Sequence, residues 1–138
     1  MGLQLTRGGE YAVRAMTYLA RFPEGHVVAL HEIGREQDVP ESFLAKILQS
    51  LVHAGLAVSR RGAHGGFALA RPASEITLRD VVEAVDGPIA LNQCVVWPED
   101  CPRNHECEVH KVWVSAQDQL MGVLDTVTLQ SLVPASVA

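Results

Sequence analysis

From Arg7 to Phe22 the residues Tyr11, Ala12, Ala15, Met16, Leu19 and Ala20 recur at helical spacing, which predicts a helix with one buried stripe. Thr6 is placed to cap its start and Pro23 to end it. After the turn "PEGH" a short helix is predicted over "ALHEIGREQ", then a tight link "DVP" and a longer helix over "ESFLAKILQSLVHA", closed by Gly55. On the longer helix Phe43, Leu44, Ile47, Leu48, Leu51 and Val52 make the apolar face. Ser42, Ala45, Lys46, Gln49 and His53 take the opposite side. Two helices joined by so short a link are helix-turn-helix anatomy, although a plain helical hairpin has the same pattern.

The pattern then changes period. In "LAVSRRGAHGGFALARP" Leu56 and Val58, then Phe67 and Leu69, alternate with other positions, as in two half-buried strands. The tip between them holds Gly62, Gly65 and Gly66, which supply the backbone angles and close approach of a hairpin. Arg60, Arg61, His64 and Arg71 surround the tip with little acid nearby. A basic, glycine-tipped hairpin directly after a candidate recognition helix predicts a winged helix. Lys46 and Gln49 then read base edges in the major groove, Ser42 bonds base or phosphate, and Ala45 packs on a thymine methyl. An arginine at the wing tip suits the narrow minor groove.

Beyond Pro72, "SEITLRDVVEAVDGP" predicts a helix capped by Thr77, with Asp80 completing a capping box. Pro98 and Pro102 keep the following stretch from being helical. A long helix resumes near Glu106, with Val109, Val112, Ala116, Leu120, Val123 and Val127 stepping by three and four, and Thr128 opens a short closing helix. The long stripe needs a surface to pack on, and a second copy of the chain is the natural one. The expected architecture is mainly α with a small β-hairpin: a winged helix-turn-helix domain over 1–72, then a ligand-bearing loop at about 92–108 and a dimerisation helix within 73–138.

Charge and composition refine this picture without redirecting it. The net charge of −5 divides into +2 over residues 1–71 and −7 over 72–138, so the basic groups lie in the predicted DNA-reading half. No apolar run reaches the length of a membrane span and "MGLQLTRGGEYAV" lacks the layout of a signal peptide, which predicts a cytoplasmic protein with no membrane partner. In that compartment three clustered cysteines point to metal or redox chemistry in preference to structural disulfides.

All three lie in "CVVWPEDCPRNHECEVH", spaced Cys94-x6-Cys101-x5-Cys107, with His110 after two more residues. These gaps are wider than zinc knuckles and suit a loop wrapped around something larger than one ion, as in an iron–sulfur centre. Cys107 at the start of a helix benefits from unpaired amides and the helix dipole, and His110 projects on nearly the same face. His105 reads as solvent-exposed. A zinc site using the same ligands, or a thiol switch, meets the same description. An enzyme or electron carrier is disfavoured: the sequence has no phosphate loop, nucleophile elbow or paired carboxylates, and His26, His31 and Glu32 form no metal motif. A winged helix that binds only protein remains a third class, separated from the first by a gel-shift assay.

With these elements in this order, the chain resembles the bacterial iron–sulfur transcription regulators typified by IscR, NsrR and RirA. The likeness lies in "LQLTRGGEYAVRAM", "VPESFLAKILQSLVHAGLAVSRRGAHGGFALARP", "ITLRDVVEAVDGP" and "TLQSLV", nearly the whole chain. The resemblance implies a homodimeric regulator, read here as a repressor, bound to a palindromic double-stranded DNA operator. It implies a cluster (2Fe-2S ahead of 4Fe-4S) on Cys94, Cys101 and Cys107, with His110 as an IscR-like fourth ligand. It carries Arg61 over as the wing arginine. IscR-like members have five residues between the first two cysteines where this chain has six, and RirA-like members have more, which leaves cluster type open. An acidic residue from the partner's first helix is the other source of a fourth ligand in the family, and Glu10 lies in that region without aligning cleanly.

Overall fold

Helix α1 (Arg7–Leu19) starts as its cap dictates: Thr6 is extended, and its hydroxyl accepts the N–H of Gly9 at 3.0 Å. The structure, a computed structural model, describes residues 5–91, 95 and 107–134. Regular helix stops at Leu19, short of the predicted end, and Arg21 and Phe22 close tightened turns on Tyr18 and Leu19. Pro23 accounts for this, because it disfavours helical geometry in the residue before it. Ala12, Ala15, Met16, Leu19 and Ala20 are buried as expected and Tyr11 is half-buried.

Helix α2 (Leu30–Gln37) ends at Asp38, which adopts the left-handed conformation (φ 54°, ψ 53°), and α3 (Glu41–His53) follows after Val39 and Pro40. Strand β1 (Ala57–Arg60) pairs antiparallel with β2 (Gly66–Leu69), matching Ala57 with Leu69 and Ser59 with Phe67. The core side of β1 therefore carries Ala57, and the alternation read from Leu56 and Val58 is one residue out. Leu56 is buried before the strand begins, in the turn that leaves α3. A neighbour unannounced by the sequence joins them: Val28 exchanges both backbone hydrogen bonds with Phe67, at 2.8 and 2.9 Å.

A 3-10 turn (Ala73–Glu75) leads to α4 (Leu78–Asp86), whose capping box forms as predicted: Thr77 Oγ1 accepts from Asp80 at 3.1 Å and Asp80 accepts from the Thr77 N–H at 3.0 Å. Helix α5 (Glu108–Thr126) begins immediately after Cys107, and α6 (Leu129–Leu132) carries a second capping box from Thr128 and Ser131. One buried cluster takes side chains from both sides of Pro72: Met16, Ile33, Leu44, Leu48, Leu51, Ile76, Val81 and Leu129. Backbone bonds from Leu129 to Ile76 (2.9 Å) and from Leu78 to Val127 (2.8 Å) fasten the end of α5 and α6 to the start of α4. Among the described residues the fold is mainly α with one β-hairpin, a helix-turn-helix followed by a wing. No described helix is long and apolar enough to cross a membrane.

On α5 three members of the predicted stripe face outward, Val109, Val112 and Val123, at 50%, 59% and 60% exposed, while Ala116 and Leu120 are half-buried. Val127 lies past the helix end, in extended backbone. The less exposed side carries His110, Val114, Gln117, Met121 and Leu124, spaced by three and four residues and partly polar. The expectations for Pro98, Pro102, Cys94, Cys101 and His105 lie outside the described residues.

Candidate nucleic-acid interface and thiol site

Helix α3 buries Leu44, Ile47, Leu48 and Leu51, so its opposite side is free to meet a ligand. There Ser42, Lys46, Gln49 and His53 are exposed and Ala45 is half-buried. Phe43, expected in the core, is 43% exposed. It stands one position off the buried face and leans edge-on against Tyr11, with ring centroids 5.5 Å apart, while the Arg14 guanidinium covers the Tyr11 ring at 5.6 Å. A groove of about 160 Å³ opens beside it, lined by Gly8, Phe43, Lys46, Ile47, Ser50 and Val85. An exposed aromatic edge thus stands next to a lysine on the outer side of α3.

The wing tip runs from Arg61 to Gly65, between the paired residues Arg60 and Gly66. Gly65 donates to the Gly62 carbonyl at 3.0 Å, and a Cβ on Gly65 would stand 2.4 Å from the carbonyl oxygen of Arg60. Gly66, at φ 154°, is tighter still, since its Cβ would lie 2.1 Å from the Val28 oxygen. These glycines are required by close backbone approach, which holds the tip in one shape. Arg60, Arg61 and His64 are exposed on it, with Gly65 half-buried beneath. Among the described residues Arg60, Arg61 and Lys46 form no ion pair. Arg71 departs from the expected basic rim: it lies 3.8 Å from Asp80, the capping acid of α4, because β2 exits towards that helix start.

Cys107 is the N-cap of α5, extended (φ −87°, ψ 110°), half-buried and without a side-chain cap bond. Its carbonyl accepts the N–H of His110 at 3.1 Å, which puts thiol and imidazole on the same first turn. Helix-start amides attract a thiolate or an anionic group held by one. Thiols and an imidazole are also the donor set of an iron–sulfur centre or a zinc ion, so the chemistry of this corner fits such a group. Among the described residues no three His, Cys, Asp or Glu side chains converge. Cys94 and Cys101 lie outside that set, and Glu10 is exposed on the first turn of α1.

A polar ring between α4 and α5 had no sequence signal beyond a lone glutamine and an Arg-Glu pair one helical turn apart. Gln117 is buried and bonds the backbone at Ile89 and Leu91. Arg79 donates to Glu83 at 3.0 Å and to Asp125 at 2.9 Å, and these bonds raise its pKa above the usual arginine value. Elsewhere, burial and then the hydrogen bond to Glu32 push the Tyr18 phenol up to about 12.

The sequence matches the profile of the Rrf2 family, described as "Iron-dependent Transcriptional regulator", over residues 5–135. It is 40% identical over 134 residues to protein aau3 of Rhizobium meliloti, covering 96% of this chain and 86% of that protein. The HTH-type transcriptional regulator IscR of Photorhabdus laumondii is 34% identical over 131 residues, covering 95% and 79%. Among solved structures CymR, described as the global cysteine regulator of B. subtilis, is similar with a TM-score of 0.76 at 29% identity, covering 94% of this chain and 95% of that one.

Proposed function

Because the chain belongs to the Rrf2 family of transcriptional regulators, we propose that it is a DNA-binding repressor whose operator affinity is set by an iron–sulfur cluster. It is a regulator and not an enzyme, as its relatives are. The observation that carries DNA reading is the combined surface of α3 and the wing: Ser42, Lys46 and Gln49 on one side, Arg60, Arg61 and His64 on the other, none of the basic groups ion-paired among the described residues. In this reading α3 enters the major groove. There Lys46 and Gln49 meet base edges, and Phe43 with Ala45 meets thymine methyls, while Arg61 reaches into the minor groove. The outward stripe of α5 is the face for a second copy, which matches a palindromic operator.

Cys94, Cys101, Cys107 and His110 are the residues that would hold the cluster, with a 2Fe-2S centre preferred to a 4Fe-4S one. A bound centre would supply a tie, sensitive to iron, oxidant and nitric oxide, across the stretch from Cys94 to His110. Support comes from the donor set, from the position of Cys107 and His110 on one helix start, and from the similarity to IscR. A second reading, a zinc or thiol switch without a cluster, draws on the similarity to CymR, whose description names cysteine and not iron.

Protein purified without oxygen should be brown, with visible absorption that Cys94→Ala, Cys101→Ala and Cys107→Ala each remove. A colourless preparation carrying zinc would select the second reading. Arg61→Ala should weaken operator binding about tenfold while the colour stays, in line with a lost groove contact. Unchanged affinity would take the wing out of DNA reading.

A further inference from the structure

Helix α5 fully buries one side chain among the described residues, and it is polar: Gln117, 7% exposed. A buried amide must find partners for both its ends. Its carbonyl accepts the N–H of Leu91 at 2.9 Å and its amine donates to the Ile89 carbonyl at 2.5 Å. The side chain thus pairs with the backbone of 89–91 as a neighbouring strand would. Ile89 is gripped from the other side too. Its N–H donates to one carboxylate oxygen of Glu83 at 3.0 Å, and the other oxygen accepts from Arg79, which reaches on to Asp125. Both ends of this ring, Gln117 and Asp125, are on α5.

Residues 89–91 lead directly into the cysteine-bearing stretch, which returns to α5 at Cys107. Ten residues of helix separate Cys107 from Gln117, so one rigid element holds both ends of the stretch about 15 Å apart. His110 shares the Gln117 face, two turns earlier. On its far side α4 packs against α1 and α3. Asp86 at its end accepts the Thr6 N–H at 3.3 Å and also the Thr6 hydroxyl, and Val85 lines the groove shared with Phe43 and Lys46.

We infer that Gln117 is a positioning residue: by clasping Ile89 and Leu91 it makes α4, and through α4 the recognition helix, follow changes at the cysteine-bearing stretch. The inference rests on that stretch being the sensing site. Any event on the thiols that shifts residues 89–91 along α5 acts on α4 as well, because Gln117 and Glu83 hold the same residue. With the clasp gone, residues 89–91 keep their bond to Glu83 but lose their hold on α5, so a change relayed along α5 no longer reaches α4 through them.

The wild-type protein is compared with Gln117→Leu and Arg79→Met in three states: free thiols kept without oxygen, thiols carbamidomethylated with iodoacetamide, and protein reconstituted with ferric iron and sulfide. The Arg79 side chain is more than a third exposed, so its variant keeps the test open should Gln117→Leu fail to fold. Affinity is read on a duplex that the wild-type protein selects from a random pool. In the wild type a change of state should move affinity about tenfold or more, and in both variants that ratio should fall to about twofold, with free-thiol affinity and visible absorption retained. A purely stabilising role would leave the ratio alone. A wild-type ratio preserved in either folded variant overturns the inference. If the wild type responds to alkylation but not to iron and sulfide, the cluster reading fails and the variants are scored on alkylation alone. A wild type that responds to neither defeats both.

Discussion

Gly66 sits so close to Val28 that a methyl group there would overlap the Val28 carbonyl. Gly66→Ala should therefore break the Val28–Phe67 pairing, lower stability by about 2 kcal/mol in urea unfolding, and weaken operator binding more than it weakens the fold. Wild-type affinity in a folded Gly66→Ala protein would show that the wing needs no such support. The sequence announced the glycines of the tip, because glycine clusters between alternating segments have few other uses. It did not announce Val28, since a single bridging residue leaves no alternation to detect. Phe43 departs from its predicted place in the core for a related reason. Position 43 borders the buried face of α3, and only the lean against Tyr11 reveals which side it takes.

Helix starts were the most legible elements, because a cap is settled by neighbours three residues apart. Thr6, Thr77 and Thr128 all cap as their sequence context requires. Thr77 does double duty, capping α4 and bridging to Thr128. Thr77→Ala should cost about 1 kcal/mol in thermal or urea unfolding. A loss well below that would mean the bridge to Thr128 holds the helix start unaided. Helix ends and faces were harder. The last turns of α1 yield to Pro23, and the strand alternation slipped by one residue because Leu56 is buried in a turn. On α5 the apolar stripe is helical as its spacing predicts, yet the side turned to its own chain carries His110 and Gln117. Hydrophobicity alone could not point to it, because Val114, Met121 and Leu124 share that side with His110 and with Gln117, whose contacts are hydrogen bonds to the backbone of Ile89 and Leu91.

At the scale of the whole molecule, the chain leaves Val112 and Val123 mostly exposed while burying a glutamine beneath them. Charges on that outer face disturb no buried contact of a single chain, so Val112→Glu with Val123→Glu should keep the wild-type far-UV circular dichroism while its unfolding loses the share that association contributes. In sedimentation it should run as a monomer, with operator affinity reduced about tenfold or more through loss of the second half-site. A persistent dimer would move the interface elsewhere. The order helix-turn-helix, wing, cysteine stretch and long helix was readable from period and punctuation alone, whereas the polar ring joining α4 to α5 depends on partners up to 46 residues apart. Leu129 has a further consequence. It is fully buried, bonded to the Ile76 carbonyl, and follows Cys94, Cys101 and Cys107 in the sequence. During synthesis the N-terminal core stays unsealed until the ribosome has already released the thiols and α5. The N-terminal core is thus completed only after the segment proposed to govern it has been made.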